Sequence, residues 1–424
     1  MILSHCALAL WRHPFGEPAC VTLAIMDPSL EQARQAFLDG VEQFERRDFE
    51  AAVALFEQAL QLAPGRPSVL MNLGASCVQL GRFEQADVHL RQALAADNSQ
   101  TDAWVAWGVT QMALGDWAQA LHAHEQARAL GAEGADFCLR WGQCLAHAGR
   151  LPEAVQAFDQ ALVHAPNLAE ACSQRAHALR DMGQTAAAIA GYERALQLGA
   201  DPELHHYYLA ALRPDRPLVN APAAYVQTLF DQYADDFEAH LVGQLGYQGH
   251  RVLLQHLPTE PGARFERVWD LGCGTGLCGT LIRPHADHLT GVDLSPAMVA
   301  KSRGLGVYDR LHAQELVDFL KQTTELADLV LAADVFIYVG QLEAVFEALS
   351  PRVRSGGWLA FTIEEADPDF EVQLHSSLRY AHALTYLEKL AALHGWHGSR
   401  VHRAPLRLDQ AQPLMGAYVY LQKT

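Results

Sequence analysis

The sequence predicts two folds in series: an α-helical solenoid, then an α/β unit built on a mostly parallel sheet. Three observations predict this. Small residues recur every 34 positions between residues 33 and 202. Apolar runs that read as strands alternate with helical stretches from residue 225 to the end. Between them lies a proline-rich stretch, Pro214-Asp-Arg-Pro217 and Ala221-Pro222, with the character of a linker.

The bulk properties agree. A chain of 424 residues exceeds one typical core, and half of it is apolar, enough to fill two. The net charge is −18, with 25 acids against 15 Lys and Arg in residues 1–219 and 24 against 16 in 220–424. Neither half has a basic face suited to nucleic acid, so DNA or RNA as a partner is disfavoured. The eight cysteines form no C-x-x-C pair and sit mostly in helical patterns among small apolar residues, which points to a reducing, cytoplasmic setting. No run reaches the length of a membrane span, and no metal-ligand spacing is convincing. Residues 1–25 break the repeat register and are expected to be poorly ordered. Met26-Asp-Pro-Ser then opens a capped helix and offers an alternative start of translation.

The repeat is read directly. Gly40, Gly74, Gly108, Gly142 and Ala176 are 34 apart. So are Ala52, Ala86, Ala120, Ala154 and Ala188, and Gly81, Gly115, Gly149 and Gly183 keep the same step. Phe49, Phe83 and Trp117 precede the alanine set by three; Phe56, Leu90, Phe158 and Tyr192 follow it by four. The pattern resembles the tetratricopeptide repeat, five units over about 33–202. It implies paired antiparallel helices, close where the residues are small, with the aromatic filling the gap. His205–Arg213 reads as a closing helix, so the array is assigned 26–213 and the linker 214–224. Met71, Val78, Val105, Val109, Met112, Leu139 and Gln143 either line the concave face or pack between units. A protein or peptide is the expected partner of such an array.

After the linker comes Tyr225–Val242, in which Phe230, Tyr233 and Phe237 fall on one helical face. Strands follow at Arg267–Leu271, Leu289–Asp293, Asp309–Ala313, Ala327–Asp334 and Trp358–Thr362. A helix near Tyr380–His394 precedes a closing hairpin of 396–402 and 416–421. The first strand ends in Asp270 and runs into Gly272-Cys-Gly274-Thr-Gly276; the second ends in Asp293. Glycines there let backbone approach a ligand that a Cβ would repel, and an acid ending the second strand suits ribose hydroxyls.

This pattern resembles motif I of class I S-adenosylmethionine-dependent methyltransferases, (E/D)-x-G-x-G-x-G, over about 225–424. Gly274–Gly279 also fits the G-x-G-x-x-G of dinucleotide dehydrogenases, but that register leaves Asp270 without a role. The resemblance implies a Rossmann-like sheet of seven strands with a reversed last strand, and S-adenosyl-L-methionine as cofactor. It implies that Asp270, Gly272, Gly274 and Gly276 contact the cofactor's amino-acid end and its turn. It implies that Asp293 binds the ribose, that Met298 lies under the adenine, and that Glu315 accepts from the adenine amino group unless it is a helix-start acid. Phe230, Tyr233 and Phe237 then form a lid, unless that helix packs on the sheet for stability alone. Asp334 and Tyr338 are the catalytic candidates; Glu364, Glu365, His375, Tyr380 and His382 also lie on segments that could reach the pocket. Paired acids at 364–365 read either as a site for a cationic nitrogen or as a solvated loop. Three functions stay open: a methyltransferase whose repeats recruit a protein substrate or partner, a small-molecule O- or N-methyltransferase, and a scaffold that binds the cofactor without turnover.

Overall fold

The structure, a computed structural model, describes residues 28–213, 220–234, 237–260, 262–409 and 412–424. The expected disordered start (1–25) and the prolines at 214 and 217 lie outside the described residues. Two compact units divide between Ala200 and Asp201.

The first unit is an array of paired helices running from Pro28–Glu45 and Phe49–Leu62 to Ala169–Asp181 and Thr185–Gln197. The 34-residue register has a direct steric meaning. A Cβ on Gly40 would lie 2.7 Å from the Phe56 ring, on Gly74 2.5 Å from Leu90, and on Gly142 2.5 Å from Phe158. Each first-helix glycine is thus the floor under a bulky residue sixteen positions on, and the helices close to backbone contact there. Between helices the chain reverses through a left-handed residue: Gly81, Gly115, Gly149 and Gly183 all have φ between +70° and +79°. In the 67–96 unit Arg82 N donates to Cys77 O at 2.9 Å and Gly81 N to Val78 O at 3.1 Å, closing the first helix. Arg47 occupies the same register in the first unit at φ +65°, so this turn persists even with a side chain.

The helix expected to close the array, observed as Pro202–Leu212, falls in the second unit. There Tyr207 donates its hydroxyl to Leu378 O at 2.6 Å, and its ring meets Tyr225 and Tyr380. Its side chains are large aromatics rather than the small residues that seat one repeat on the next. The unit boundary therefore precedes the one read from the prolines.

The second unit carries nine strands among the described residues: β1 (Phe265–Leu271), β2 (Ala286–Asp293), β3 (Arg310–Ala313), β4 (Ala327–Ala332), β5 (Val353–Glu365), β6 (Val372–Leu374), β7 (Tyr380–His382), β8 (Trp396–Asp409) and β9 (Gln412–Lys423). The order β3-β2-β1-β4-β5 is parallel; β9 joins β5 antiparallel and pairs outward with β8. This is the expected seven-stranded sheet with a reversed last strand. Trp269, Phe346 and Val419 fill one face; Val268, Leu289 and Tyr420 fill the other. Two details differ from expectation. β5 begins at Val353, before the glycines, with a register shift against β4. The small β6–β7 hairpin adds to the end of β5, and the following helix starts only at Leu384. Three-residue strands are too short for alternation to reveal them.

One repeat departs from the pattern in a testable way. His124 takes the place of the aromatic, fully buried against Gly108; its Nδ1 lies 2.8 Å from Ala120 O. Burial holds its pKa below the ordinary imidazole value. The folded form is neutral, so the unfolded chain binds the extra proton as pH falls through about 6.5, and stability is lost there. His124→Phe should therefore flatten the fall in melting temperature of the array between pH 7 and pH 5, measured by circular dichroism; an unchanged slope would assign the acid sensitivity elsewhere.

Candidate active site

A cavity of about 550 Å³ opens at the carboxyl ends of β1, β2 and β4, where a doubly wound sheet holds its ligands. Its floor is the turn after β1. Gly272, Gly274 and Gly276 all have positive φ, and the three are held for different reasons. A Cβ on Gly272 would strike Val335, and one on Gly276 would strike Leu305, both within 2.6 Å. One on Gly274 would meet nothing within 4 Å, because it would project into the cavity. Only Gly274 has the open approach expected of all three. Gly276 does not line the cavity; it is a packing glycine at the start of the helix Leu277–Ile282.

Two acids brace this turn. Asp270 is buried, accepts from the Tyr308 hydroxyl at 2.6 Å, and lines the cavity. Desolvation raises its pKa to about 7, opposed by the Tyr308 bond and reinforced by the nearby Asp293 charge. Asp293 accepts from Gly274 N at 2.8 Å and from Ser295 N at 2.9 Å. Burial raises its pKa as well. Each of its oxygens thus already has a backbone donor, which sequence reasoning did not foresee. Met298 is a fully buried residue of the helix that starts at Pro296, and Leu294 rather than Met298 lines the cavity. Glu315 does line it, while capping the helix Leu316–Gln322 through Asp318 N at 3.0 Å. The helix-cap and cavity readings of Glu315 therefore coexist.

Above the turn lies the helix Ala223–Tyr233. Phe230, Tyr233 and Phe237 all line the cavity and form an edge-to-face cluster with 5.3 and 6.2 Å between centroids. They do not share one continuous helix: the helix ends at Tyr233, and Phe237 belongs to the next segment. Phe230 also meets Tyr338 edge-on at 5.1 Å, and Tyr233 hydrogen-bonds to His240. The segment is tied to the sheet by Asp231, which no motif marks in the sequence. Asp231 accepts from Ser295 Oγ at 2.5 Å and from Ala297 N at 3.2 Å, capping the helix after β2.

Beyond β4, Asp334 adopts φ +62°, a left-handed conformation that costs a non-glycine residue about 1–3 kcal/mol. Its amide donates to Thr362 Oγ1 at 2.7 Å. Its carboxylate binds Arg407 at 3.0 and 3.2 Å, and Arg407 also binds Glu364 at 2.5 Å. Arg407 is buried and lines the cavity, and its two carboxylates raise its pKa against the effect of burial. Glu365 points outward to Arg403 at 2.7 Å. The 364–365 pair is therefore neither a free diacid site nor a solvated loop; each acid has its own arginine. His382 is fully buried and donates from Nε2 to the carbonyls of Val339 and Gly340, so it fixes the loop after Tyr338. Neither it nor His375 nor Tyr380 lines the cavity, whereas Arg379 does.

Comparison with known proteins agrees with this architecture. Family models for the tetratricopeptide repeat match residues 43–107, 105–169 and 169–201, and one described as a methyltransferase domain matches 269–359. The chain joins tetratricopeptide repeats to a methyltransferase domain. Malonyl-[acyl-carrier protein] O-methyltransferase of Enterobacter lignolyticus is 28% identical over 178 residues, 41% of this chain and 68% of that protein. Ubiquinone biosynthesis O-methyltransferase of Aeromonas salmonicida is 28% identical over 116 residues, 26% and 49%. Among solved structures, the N-methyltransferase NodS of Bradyrhizobium japonicum, in complex with S-adenosyl-L-homocysteine, shares 20% identity over 41% of this chain and 85% of that one, at a TM-score of 0.33. The match spans 68% of the length of the first of these curated relatives and 49% of the second.

In the second unit the buried Asp334–Arg407–Glu364 group is costly to break. Removing the arginine leaves two carboxylates buried without a partner, worth about 3–5 kcal/mol. Arg407→Met should lower the melting temperature of this domain sharply in calorimetry, and Arg407→Met with Glu364→Gln should recover part of the loss. A single variant as stable as wild type would show that the group has no such weight.

Proposed function

We propose that the second unit transfers a methyl group from S-adenosyl-L-methionine to an acceptor admitted beneath the segment 223–241, and that the repeat array recruits a protein substrate or partner. The observation that carries this is the floor of the cavity: an open cradle over Gly274, walled by carboxylates at 270, 293 and 315. The residues present fit that cofactor chemically. A cationic amino group and sulfonium suit the acids, and ribose hydroxyls suit Asp293. Two buried polar atoms on the wall, His250 Nδ1 and Thr275 Oγ1, have no partner, which marks places where a bound polar ligand would complete the bonding. The cofactor supplies the electrophilic methyl group. The chain's part is to orient, to exclude water and to place the acceptor in line.

Asp270 would face the cofactor's amino group as an anion, and Asp293 would add ribose hydroxyls to its two amide donors. Met298 would support the adenine pocket from behind rather than touch the base, and Glu315 would accept from its amino group with the oxygen its helix cap leaves over. Phe230, Tyr233 and Phe237 would exclude water, and Asp334 and Tyr338 would border the acceptor. Asp334 is held by Arg407 and is better suited to positioning than to taking a proton. The names of the two curated relatives favour an oxygen acceptor, and one of them acts on a carrier-protein-borne substrate, which accords with a recruiting array.

Asp293→Ala should weaken S-adenosylhomocysteine about 10- to 1000-fold in isothermal titration calorimetry, since charge-assisted bonds contribute roughly 1.5–3 kcal/mol each. Saturable NADH binding with no affinity for S-adenosylhomocysteine would overturn the cofactor assignment.

The raised pKa of Asp270, about 7, adds a pH signature. Below that value the free site is protonated, and the proton must leave before an ionised Asp270 can meet a cationic amino group. S-adenosylhomocysteine affinity should therefore fall as pH drops from 8 to 6, by up to about tenfold per unit below pH 7. The slope should vanish in Asp270→Asn. Flat affinity across this range in the wild type would remove Asp270 from the binding step.

A further inference from the structure

Four cationic or potentially cationic side chains line the cavity among the described residues: His240, His250, Arg379 and Arg407. Three are accounted for. Arg407 is neutralised by Asp334 and Glu364. His250 is buried against Tyr247, and desolvation lowers its pKa to about 4, so it is a neutral ring. His240 is hydrogen-bonded to Tyr233. Arg379 makes no ion pair with any described acid, and it bonds instead to the Tyr338 side chain.

Its placement is built rather than incidental. Arg379 sits in the turn between β6 and β7, where His375 N donates to Arg379 O at 2.9 Å and Leu378 adopts φ +62°. The strained residue is fixed by the Tyr207 hydroxyl on its carbonyl at 2.6 Å. The same cavity is also lined by apolar Val226, Leu229, Phe230, Val339 and Val345. Asp270 and Asp293 lie at the carboxyl ends of β1 and β2 and Glu315 just after β3, whereas Arg379, Tyr338 and Gln341 come from the elements after β4 and β5. A half-buried guanidinium with no carboxylate partner among the described residues, in a cavity with much apolar lining, is costly unless an anion completes it.

We propose that Arg379, with the Tyr338 hydroxyl, binds a carboxylate on the acceptor, so that the cavity takes an organic acid with an apolar body. This rests on the methyl-transfer reading and names its substrate class. A guanidinium offers a planar pair of N–H donors that matches a carboxylate, and Tyr338 adds a third donor while its ring stacks edge-on with Phe230. The apolar wall then receives the rest of the molecule.

The test uses octanoate and octanamide, which differ only in the charged group, titrated into the full-length chain saturated with S-adenosylhomocysteine. Octanoate should bind at least tenfold more tightly than octanamide. Arg379→Gln should remove that preference, Arg379→Lys should keep part of it, and Arg400→Gln, an exposed arginine outside the cavity, should leave it intact. S-adenosylhomocysteine affinity and melting temperature should be the same in Arg379→Gln as in wild type, which separates a lost anion site from a damaged fold. Equal affinity for the acid and the amide, no binding of octanoate, or an octanoate affinity indifferent to Arg379→Gln would overturn the proposal. If the wild type fails to bind S-adenosylhomocysteine, the methyl-transfer reading falls, and octanoate titrated without it still reports on Arg379.

Discussion

The turn after β1 has to hold three left-handed residues in five positions at the edge of the sheet, and the surrounding side chains are arranged to keep it there. Such backbone is cheap for glycine but not self-supporting. Cys273 N donates to Val292 O at 3.0 Å, tying the turn to β2. Gly274 is held from both sides, its amide by Asp293 and its carbonyl by Ser302 Oγ at 2.6 Å. Val335 closes on Gly272, and Leu305 and Tyr308 close on Gly276. What remains open is the space over Gly274. The cavity exists because every other direction around the turn is filled.

The acids here carry two loads at once. Asp293 spends both oxygens on backbone amides and still faces the cavity; Asp231 caps a helix and anchors the aromatic segment above it. This coupling has a consequence for motion. Segment 223–233 is fastened at Asp231 to the same helix start that Asp293 helps to shape, through Ser295. Any opening of the aromatic cover that breaks the Asp231 bonds leaves two donors at that helix start without their acceptor. The cover and the floor are therefore braced by one short stretch, Asp293–Ala297.

The readable part of this fold was the part encoded at short or regular spacing. The 34-residue step predicts the array because each glycine and its bulky partner lie sixteen residues apart in every unit, and the structure puts those atoms in contact. The D-x-G-x-G-x-G run predicts the floor because backbone conformation there is a local property. The unreadable part is long-range. Arg407 reaches Asp334 and Glu364 across 73 and 43 residues, and Asp231 reaches Ser295 across 64. No periodicity links such positions, and an arginine near the end of a strand looks like any edge cation. Met298 and Gly276 lie outside the cavity lining for the converse reason. Their sequence context matched a ligand-facing pattern, while a difference of one helical turn or one peptide sent each into the core.

Charge is sorted along the cavity in a way that burial enforces. At the ends of β1 and β2, burial raises the pKa of both Asp270 and Asp293, and a neighbouring carboxylate adds to it in each case, Asp293 at Asp270 and Asp231 at Asp293. At the end of β4 the strained Asp334 shares the buried Arg407 with Glu364, so the one cation there is already matched by carboxylates. On the β6–β7 turn the Arg379 guanidinium bonds to the Tyr338 phenol and pairs with no acid among the described residues. Like charges gathered at one end are repulsive unless a cation joins them, and a lone guanidinium at the other is under-bonded unless an anion joins it. Both costs are relieved by ligands of opposite charge bound in the same cavity, one at each end. A site arranged this way favours having both ligands present together, because each end is completed only by the species that suits it.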